Sequence, residues 1–191
     1  KYNIISIIIA LLSCVPFFVR FEKVKSGARE MIVIAVMAAF SVVGRFIFAP
    51  IPAFKPVTAI TIISGVALGP EAGFIVGSMT AVVSNMFYGQ GPWTPFQMFV
   101  WGFIGFLAGV IFRKSKKPNR IVLSIVGAFG GVLFSLLMDI WTTLSLDGEF
   151  LLSRYLVNVA SSLSFMAIYA VSNIVFLIIL AHPFLEKLNR I

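Results

Sequence analysis

Charged residues are scarce in this sequence. They make up only 12% of the 191 residues and include 7 acidic side chains, whereas 60% of the chain is hydrophobic and its mean hydropathy is +1.04. A chain of this length cannot hide so much apolar surface inside one water-soluble core, so lipid must cover part of it. A soluble globular domain is therefore excluded. The length allows roughly six or seven membrane-spanning helices of about 20 residues each.

The residues that carry most catalytic and metal chemistry are also rare. Cys14 is the single cysteine and His182 the single histidine, which excludes a disulfide framework and a Cys/His metal site. We therefore expect no enzyme activity, no metal and no catalytic cofactor. No GxxxxGK(S/T) phosphate loop is present, so the chain cannot power uphill transport itself. Five of the seven carboxylates, at Glu30, Glu71, Asp139, Asp147 and Glu149, are scattered along the chain.

Apolar runs predict an all-α integral membrane protein with seven helices. Gly69 and Pro70 predict a tight reversal between the short third run and the fourth, so these two helices should be adjacent and antiparallel. The first run has the length of a signal-peptide core but lacks a small-residue cleavage site, so we interpret it as a retained helix. The runs lie at residues 3–19, 31–49, 57–69, 72–88, 94–112, 121–144 and 155–181.

The basic residues indicate how the helices are oriented. The formal net charge is +8, and most of the cations fall on one side of the predicted helices. Cytoplasmic loops carry an excess of Lys and Arg, so this side is predicted to be the cytoplasm, with the N terminus outside and the C terminus inside. This distribution explains the charge without nucleic acid. The cations of this side are Arg20, Lys23, Lys25, Arg29, Arg113, Lys114, Lys116, Lys117, Arg120, Lys187 and Arg190.

The segment NMFYGQGPWTPFQ at residues 85–97 is the strongest candidate for a binding loop on the outer side. Its glycines and prolines favour a defined non-helical course. Its aromatic rings offer flat apolar contact and its amides offer directed hydrogen bonds, a combination typical of small-molecule pockets. An aromatic belt at the bilayer surface is the alternative explanation for Trp and Tyr alone. The candidate substrate-binding residues in and after this loop are Asn85, Tyr88, Gln90, Trp93, Gln97 and Trp101.

Charged residues near the outer surface add further candidates. Lys55 lies in the proline-rich loop 48–56, and Arg45 lies near the outer end of the preceding helix. Asp139 lies within an apolar helix, where a carboxylate normally faces the bundle interior and finds a partner. Arg45 or Arg154 is its expected partner, and both a structural ion pair and a ligand contact are open interpretations. The remaining substrate-binding candidates are Trp141 and Asn158.

Small residues recur at four-residue spacing, which lets membrane helices approach closely. The glycine sets are expected to hold one bundle together. Ala35 and Ala39 also share a helix face, and this face could instead dock another subunit. The other sets are Gly73 with Gly77 and Ala81, Gly105 with Gly109, and Gly127 with Gly131.

Four segments together resemble the substrate-binding S component of energy-coupling factor (ECF) vitamin transporters. They are AREMIVIAVMAA (28–39), FKPVTA (54–59), ALGPEAG (67–73) and YGQGPWTP (88–95). The resemblance implies a six-helix substrate-binding domain at residues 29–191, preceded by an additional hydrophobic helix and basic linker at residues 1–28. It also implies a vitamin held under the loops 48–56 and 88–95, and partner docking at Ala35 and Ala39. The 88–95 loop is most similar to the cobalamin-type S components.

That family implies the substrate-binding subunit of an ATP-driven importer for cobalamin or a related corrinoid. Its partners would be a membrane coupling subunit and two cytoplasmic ATPases, against which the subunit reorients in the bilayer. Other S-component ligands, such as pantothenate or a queuosine-type base, are alternatives. A stand-alone secondary transporter is another, and it requires intramembrane ion-coupling carboxylates, of which Asp139 is the one good example.

Overall fold

The computed structural model describes residues 2–23, 27–115 and 118–190, and these residues form seven helices. This confirms the all-helical prediction. The helices are α1 (Tyr2–Lys23), α2 (Ala28–Ile47), α3 (Val57–Leu68), α4 (Pro70–Tyr88), α5 (Thr94–Ile111), α6 (Arg120–Asp147) and α7 (Leu152–Leu188). The seventh helix continues past residue 181, where the apolar run ends, and includes Pro183.

Local sequence signals account for the helix ends. Gly69 has a φ of 105°, a conformation that glycine adopts without strain, and Pro70 opens α4 directly after it. The predicted reversal between α3 and α4 is thereby confirmed. Asn119 caps α6 by accepting a hydrogen bond from the Ile121 amide at 2.8 Å, and Gly148 ends that helix in the left-handed conformation.

The short helix α3 lies at the centre of the bundle. Its residues 57–66 are all buried, because α2, α4, α5, α6 and α7 surround it. Twelve residues of α-helix extend only about 18 Å, less than the roughly 30 Å of a bilayer core. The loop 48–56 therefore descends toward the bundle interior to meet the start of α3. We call the end of the bundle that carries this loop and the 88–95 loop the loop side.

Three central helices meet at glycines. A Cβ atom on Gly73 would lie 2.6 Å from the Gly105 carbonyl oxygen and 2.7 Å from the Gly65 Cα. A Cβ on Gly105 would lie 2.5 Å from the Gly73 carbonyl oxygen. These distances are too short for any side chain, so α3, α4 and α5 cross with their backbones in direct contact. The predicted packing role of Gly73 and Gly105 is confirmed.

Helix α1 packs against α4 and α5 through specific contacts. The Phe17 ring stacks on Phe74 with centroids 4.1 Å apart, and it meets Phe106 edge to face at 5.0 Å. Near the end of α1, Arg20 forms an ion pair with Glu71 at 2.6 Å. Both the apolar and the polar contacts of α1 thus go to the same neighbouring helices.

Four of the described helices are long and apolar enough to cross a membrane. They are the segments Ala28–Ile47, Thr94–Ile111, Arg120–Leu146 and Leu152–Leu188. Many large apolar side chains on these helices point away from the bundle and are exposed, as lipid contact requires. These helices indicate a multi-pass membrane protein in which longer helices surround the buried α3.

Candidate functional site

Arg45 organises the polar residues at the loop side. It lies in the last turn of α2, and its Nη1 donates hydrogen bonds to the Ser84 hydroxyl and, at 2.8 Å, to Asn85 Oδ1 at the end of α4. The guanidinium also lies over two aromatic rings, 4.8 Å from the centroid of Tyr88 and 5.1 Å from that of Trp101. Such cation–π contacts and charged hydrogen bonds hold a cation in an otherwise apolar place.

The amides predicted from the sequence join the same cluster. Asn85 is buried, with 1% exposure, and its Nδ2 donates to Thr94 Oγ1 at 2.9 Å and to Gln97 Oε1 at 2.8 Å. Thr94 Oγ1 in turn donates to Gln90 Oε1 at 2.9 Å, and the Tyr88 hydroxyl donates to the Arg45 carbonyl oxygen at 3.1 Å. We call this set the Arg45 network; its members are Arg45, Ser84, Asn85, Tyr88, Gln90, Thr94, Gln97 and Trp101.

A row of aromatic rings runs from this network toward α6 and α7. Trp101 stacks on Phe134 with centroids 5.2 Å apart and an interplanar angle of 11°. Phe134 meets Tyr169 edge to face at 5.1 Å. We call Trp101, Phe134 and Tyr169 the aromatic column. Trp101 and Phe134 are buried, so their rings pack α5 against α6, and Tyr169 extends the contact to α7.

A second polar cluster lies between α6 and α7. The Ser162 hydroxyl donates to Asp139 Oδ2 at 2.6 Å, and Asn158 Nδ2 donates to Thr143 Oγ1 at 2.9 Å. Asp139 is buried, with 8% exposure. The expected pairing of Asp139 with Arg45 is not formed, because Arg45 is directed to Ser84 and Asn85. We call Ser135, Asp139, Thr143, Asn158 and Ser162 the polar seam.

Lys55 lies in the loop 48–56, which is anchored to α7. Its carbonyl oxygen accepts a hydrogen bond from the Ser172 hydroxyl at 3.0 Å. Burial lowers the pKa of the Lys55 ammonium below its ordinary value, and the nearby Arg45 charge lowers that pKa further. Two cations thus lie near each other at the loop side, which favours an acceptor-rich ligand over a cationic one.

The two remaining tryptophan candidates lie outside these clusters. The Trp93 ring packs over Gly91 within its own loop and is 38% exposed. The Trp141 ring packs against Phe96, with centroids 5.0 Å apart. Their assignment as substrate-binding residues stays a prediction.

The predicted docking residues Ala35 and Ala39 are exposed on one face of α2. They line an open apolar groove of about 410 Å³ between α2 and α4, to which Phe21 of α1 also contributes. Because alanine side chains are small, the α2 backbone is accessible to another helix along this face.

Several residues of the site were not among the sequence candidates. Ser84 and Ser162 each hydrogen bond to a candidate, and Phe134 and Tyr169 complete the aromatic column. The sequence contains a signal for Ser162. Asn158 and Ser162 are four residues apart, as are Asp139 and Thr143, and residues at this spacing share one face of a helix.

The sequence profile of a known family matches nearly all of the chain after α1. It is the family described as ECF-type riboflavin transporter, S component, and the match covers residues 25–190. The chain belongs to this family. The resemblance to S components is thereby confirmed, and the family is one of transporter components, not of enzymes. The cobalamin type that the 88–95 loop suggests is not supported, because the family description names riboflavin.

Two curated relatives are similar over a shorter stretch. Both are UPF0397 proteins of Aliivibrio fischeri, from strains MJ11 and ATCC 700601 / ES114. Each is 29% identical over 120 residues, which covers 56% of this chain and 65% of the relative. The match therefore spans less than two thirds of the relatives' length. No solved structure matches the chain.

Proposed function

We propose that this chain is the substrate-binding membrane subunit of an ECF-type importer and that its ligand is riboflavin or a close structural relative. The observation that carries this proposal is the family match over residues 25–190, in a chain whose loop side gathers a cation, amides and aromatic rings. An importer subunit without a phosphate loop needs partners, so we propose a coupling subunit and two cytoplasmic ATPases.

The chemistry of the Arg45 network suits a flat ring with a carbonyl-rich edge. Arg45 has five N–H donors, and its two hydrogen bonds within the network both come from Nη1. Nε and Nη2 are thus the groups that would donate to ligand carbonyls. Gln97 accepts from Asn85 through Oε1, so its Nε2 would donate as well. The isoalloxazine ring of riboflavin has two such carbonyls on one edge and a large flat face.

Riboflavin binding by the purified chain tests the proposal. We expect saturable binding at one site, with quenching of flavin fluorescence because the ring would stack on tryptophan and tyrosine. Cobalamin, the ligand indicated by the 88–95 loop, is tested in the same assay as a competitor. Tight binding of cobalamin without riboflavin binding would reverse the ligand assignment. In vesicles, the chain alone is expected to give no uphill uptake; concentration of riboflavin by the chain alone would indicate a secondary transporter.

Docking of the coupling subunit is proposed at the groove lined by Ala35 and Ala39. We expect Ala35→Leu or Ala39→Leu to abolish ATP-driven uptake while riboflavin affinity stays unchanged. The larger leucine side chain would fill the groove and block docking of the coupling subunit, and neither residue belongs to the Arg45 network. Val43→Leu is the matched control, since Val43 is exposed on α2 but does not line the groove. Normal uptake by both alanine variants in vesicles with the complete transporter would remove this assignment.

A further inference from the structure

A groove of about 510 Å³ runs along the surface between α6 and α7, at the end of the bundle opposite the loop side. Its lining is apolar except at Arg120 and Ser124. The eight residues from Arg120 to Ala128 advance about 12 Å along a helix, close to the roughly 15 Å of hydrocarbon in one leaflet. The groove therefore reaches about as deep as one lipid chain. Its apolar lining residues are Ile121, Ile125, Ala128, Ile174 and Ile178.

The two helices are held together beside this groove. Asn173 Nδ2 donates a hydrogen bond to the Gly127 carbonyl oxygen at 3.0 Å, and both residues are buried. One turn further along α6, a Cβ on Gly131 would lie 2.7 Å from the Tyr169 carbonyl carbon, so the two backbones are in close contact. The walls of the groove are therefore fixed relative to each other.

Ser124 is an unusual residue in the wall of this groove. It is 9% exposed, and its hydroxyl has no hydrogen-bond partner among the described residues. Other helical serines, such as Ser64 and Ser161, donate to the carbonyl oxygen four residues earlier. A buried hydroxyl without a partner costs free energy. A change of side-chain rotamer can turn this hydroxyl toward the groove, where an occupant with an acceptor oxygen would supply the partner.

The mouth of the groove is positively charged. Arg120 is exposed there and begins α6, whose first turn has no acidic residue, so the helix N-terminus also favours an anion. Glu186 lies in an adjoining cavity, and its carboxylate is 3.3 Å from His182 Nε2. In the sequence, residues 113–120 contain five cations and no acid. Such clusters next to a membrane helix attract anionic lipid headgroups.

We infer that this groove binds one anionic phospholipid from the leaflet at that end of the bundle. Arg120 and the N-terminus of α6 hold the phosphate, Ser124 donates to an ester oxygen, and one acyl chain lies between Ile125 and Ile178. Charge, hydroxyl and apolar wall follow each other in the order in which a phospholipid presents its phosphate, esters and hydrocarbon. A soluble phosphate compound would leave the apolar wall uncovered. The groove lies far from the Arg45 network, so the inference holds for any transported ligand.

Native mass spectrometry of the purified chain, titrated in detergent with phosphatidylglycerol or phosphatidylcholine of identical acyl chains, tests the inference. We expect one phosphatidylglycerol per chain, bound at least about fivefold more tightly than phosphatidylcholine. Arg120→Gln should remove most of this preference. Ser124→Ala should weaken phosphatidylglycerol binding by about threefold, because the ester loses its donor. Ala128→Phe should abolish the one-to-one complex, because the ring would fill the groove.

Arg113→Gln and Val122→Phe are the matched controls, because both residues are exposed at the same end of the bundle and neither lines the groove. Both variants should keep the affinity of the unmodified chain. Equal affinity for the two lipids would overturn the inference, as would unchanged phosphatidylglycerol affinity in any of the three groove variants. Since Arg120 is exposed, Arg120→Gln keeps the test decisive if Ala128→Phe does not fold.

Two further results would point to a different occupant. If Arg113→Gln weakens phosphatidylglycerol binding as much as Arg120→Gln, the attraction is spread over the basic segment and the groove is not a site. Competition by glycerol phosphate, which has the headgroup chemistry without acyl chains, would indicate a site for a soluble phosphate. Either result would overturn the inference and leave the proposed function standing.

Discussion

Gly105→Ala is expected to destabilise the protein strongly, because the backbones of α4 and α5 are in direct contact at this residue. The new Cβ would lie 2.5 Å from the Gly73 carbonyl oxygen and 2.6 Å from Thr61 Cγ2. The first of these neighbours is backbone, so relief requires α4 and α5 to move apart. Overpacking of a well-packed core costs up to about 3 kcal/mol, which corresponds to a fall in Tm of roughly 6–12 °C for a chain of this size.

Thermal unfolding of the purified protein in detergent measures this effect. Gly27→Ala is the matched control, because a Cβ at Gly27 meets no atom within 4 Å and the residue has an ordinary φ of −66°. Its Tm should change by no more than a degree or two. Equal Tm values for the two variants would show that the helices α3, α4 and α5 do not cross as closely as described.

The sequence predicted that glycines would allow close helix contacts, but it did not predict which helices would meet at them. Four-residue spacing identified Gly73 and Gly105 as packing residues, because small residues at that period create a helix face that a neighbour can approach. Gly65 was not part of any such pair. It joins the crossing because α3 is central and short, and the partners of a central helix depend on how all the other helices pack around it.

The site was predictable where its members are close in sequence. Asn85, Gln90 and Gln97 lie within one proline-rich loop and its flanking turns, so their closeness in sequence keeps them close in space. Asp139 was correctly expected to face the bundle interior, yet its carboxylate accepts a hydrogen bond from Ser162 and is not paired with Arg45. The partner depends on the rotation of α6 against α7, which brings Ser162 to the carboxylate and leaves Arg45 facing α4.

Arg45→Met is expected to weaken riboflavin binding strongly while the protein still folds. Loss of the guanidinium removes the donors proposed for the ligand carbonyls, and one hydrogen bond to a charged group contributes about 2–3 kcal/mol, or roughly 30–150-fold in Kd for riboflavin. Folding should survive with a loss of about 1–3 kcal/mol in the free energy of unfolding, because the buried Asn85 Oδ1 loses its charged donor.

Fluorescence titration with riboflavin gives the change in Kd, and thermal unfolding of the same preparation gives the change in Tm. Arg29→Met is the matched control, because Arg29 is an exposed arginine at the opposite end of α2. A large fall in Tm without loss of affinity would assign Arg45 a structural role, through its bonds to Ser84 and Asn85. Loss of riboflavin affinity in a variant that still unfolds cooperatively is the result expected if Arg45 contacts the ligand.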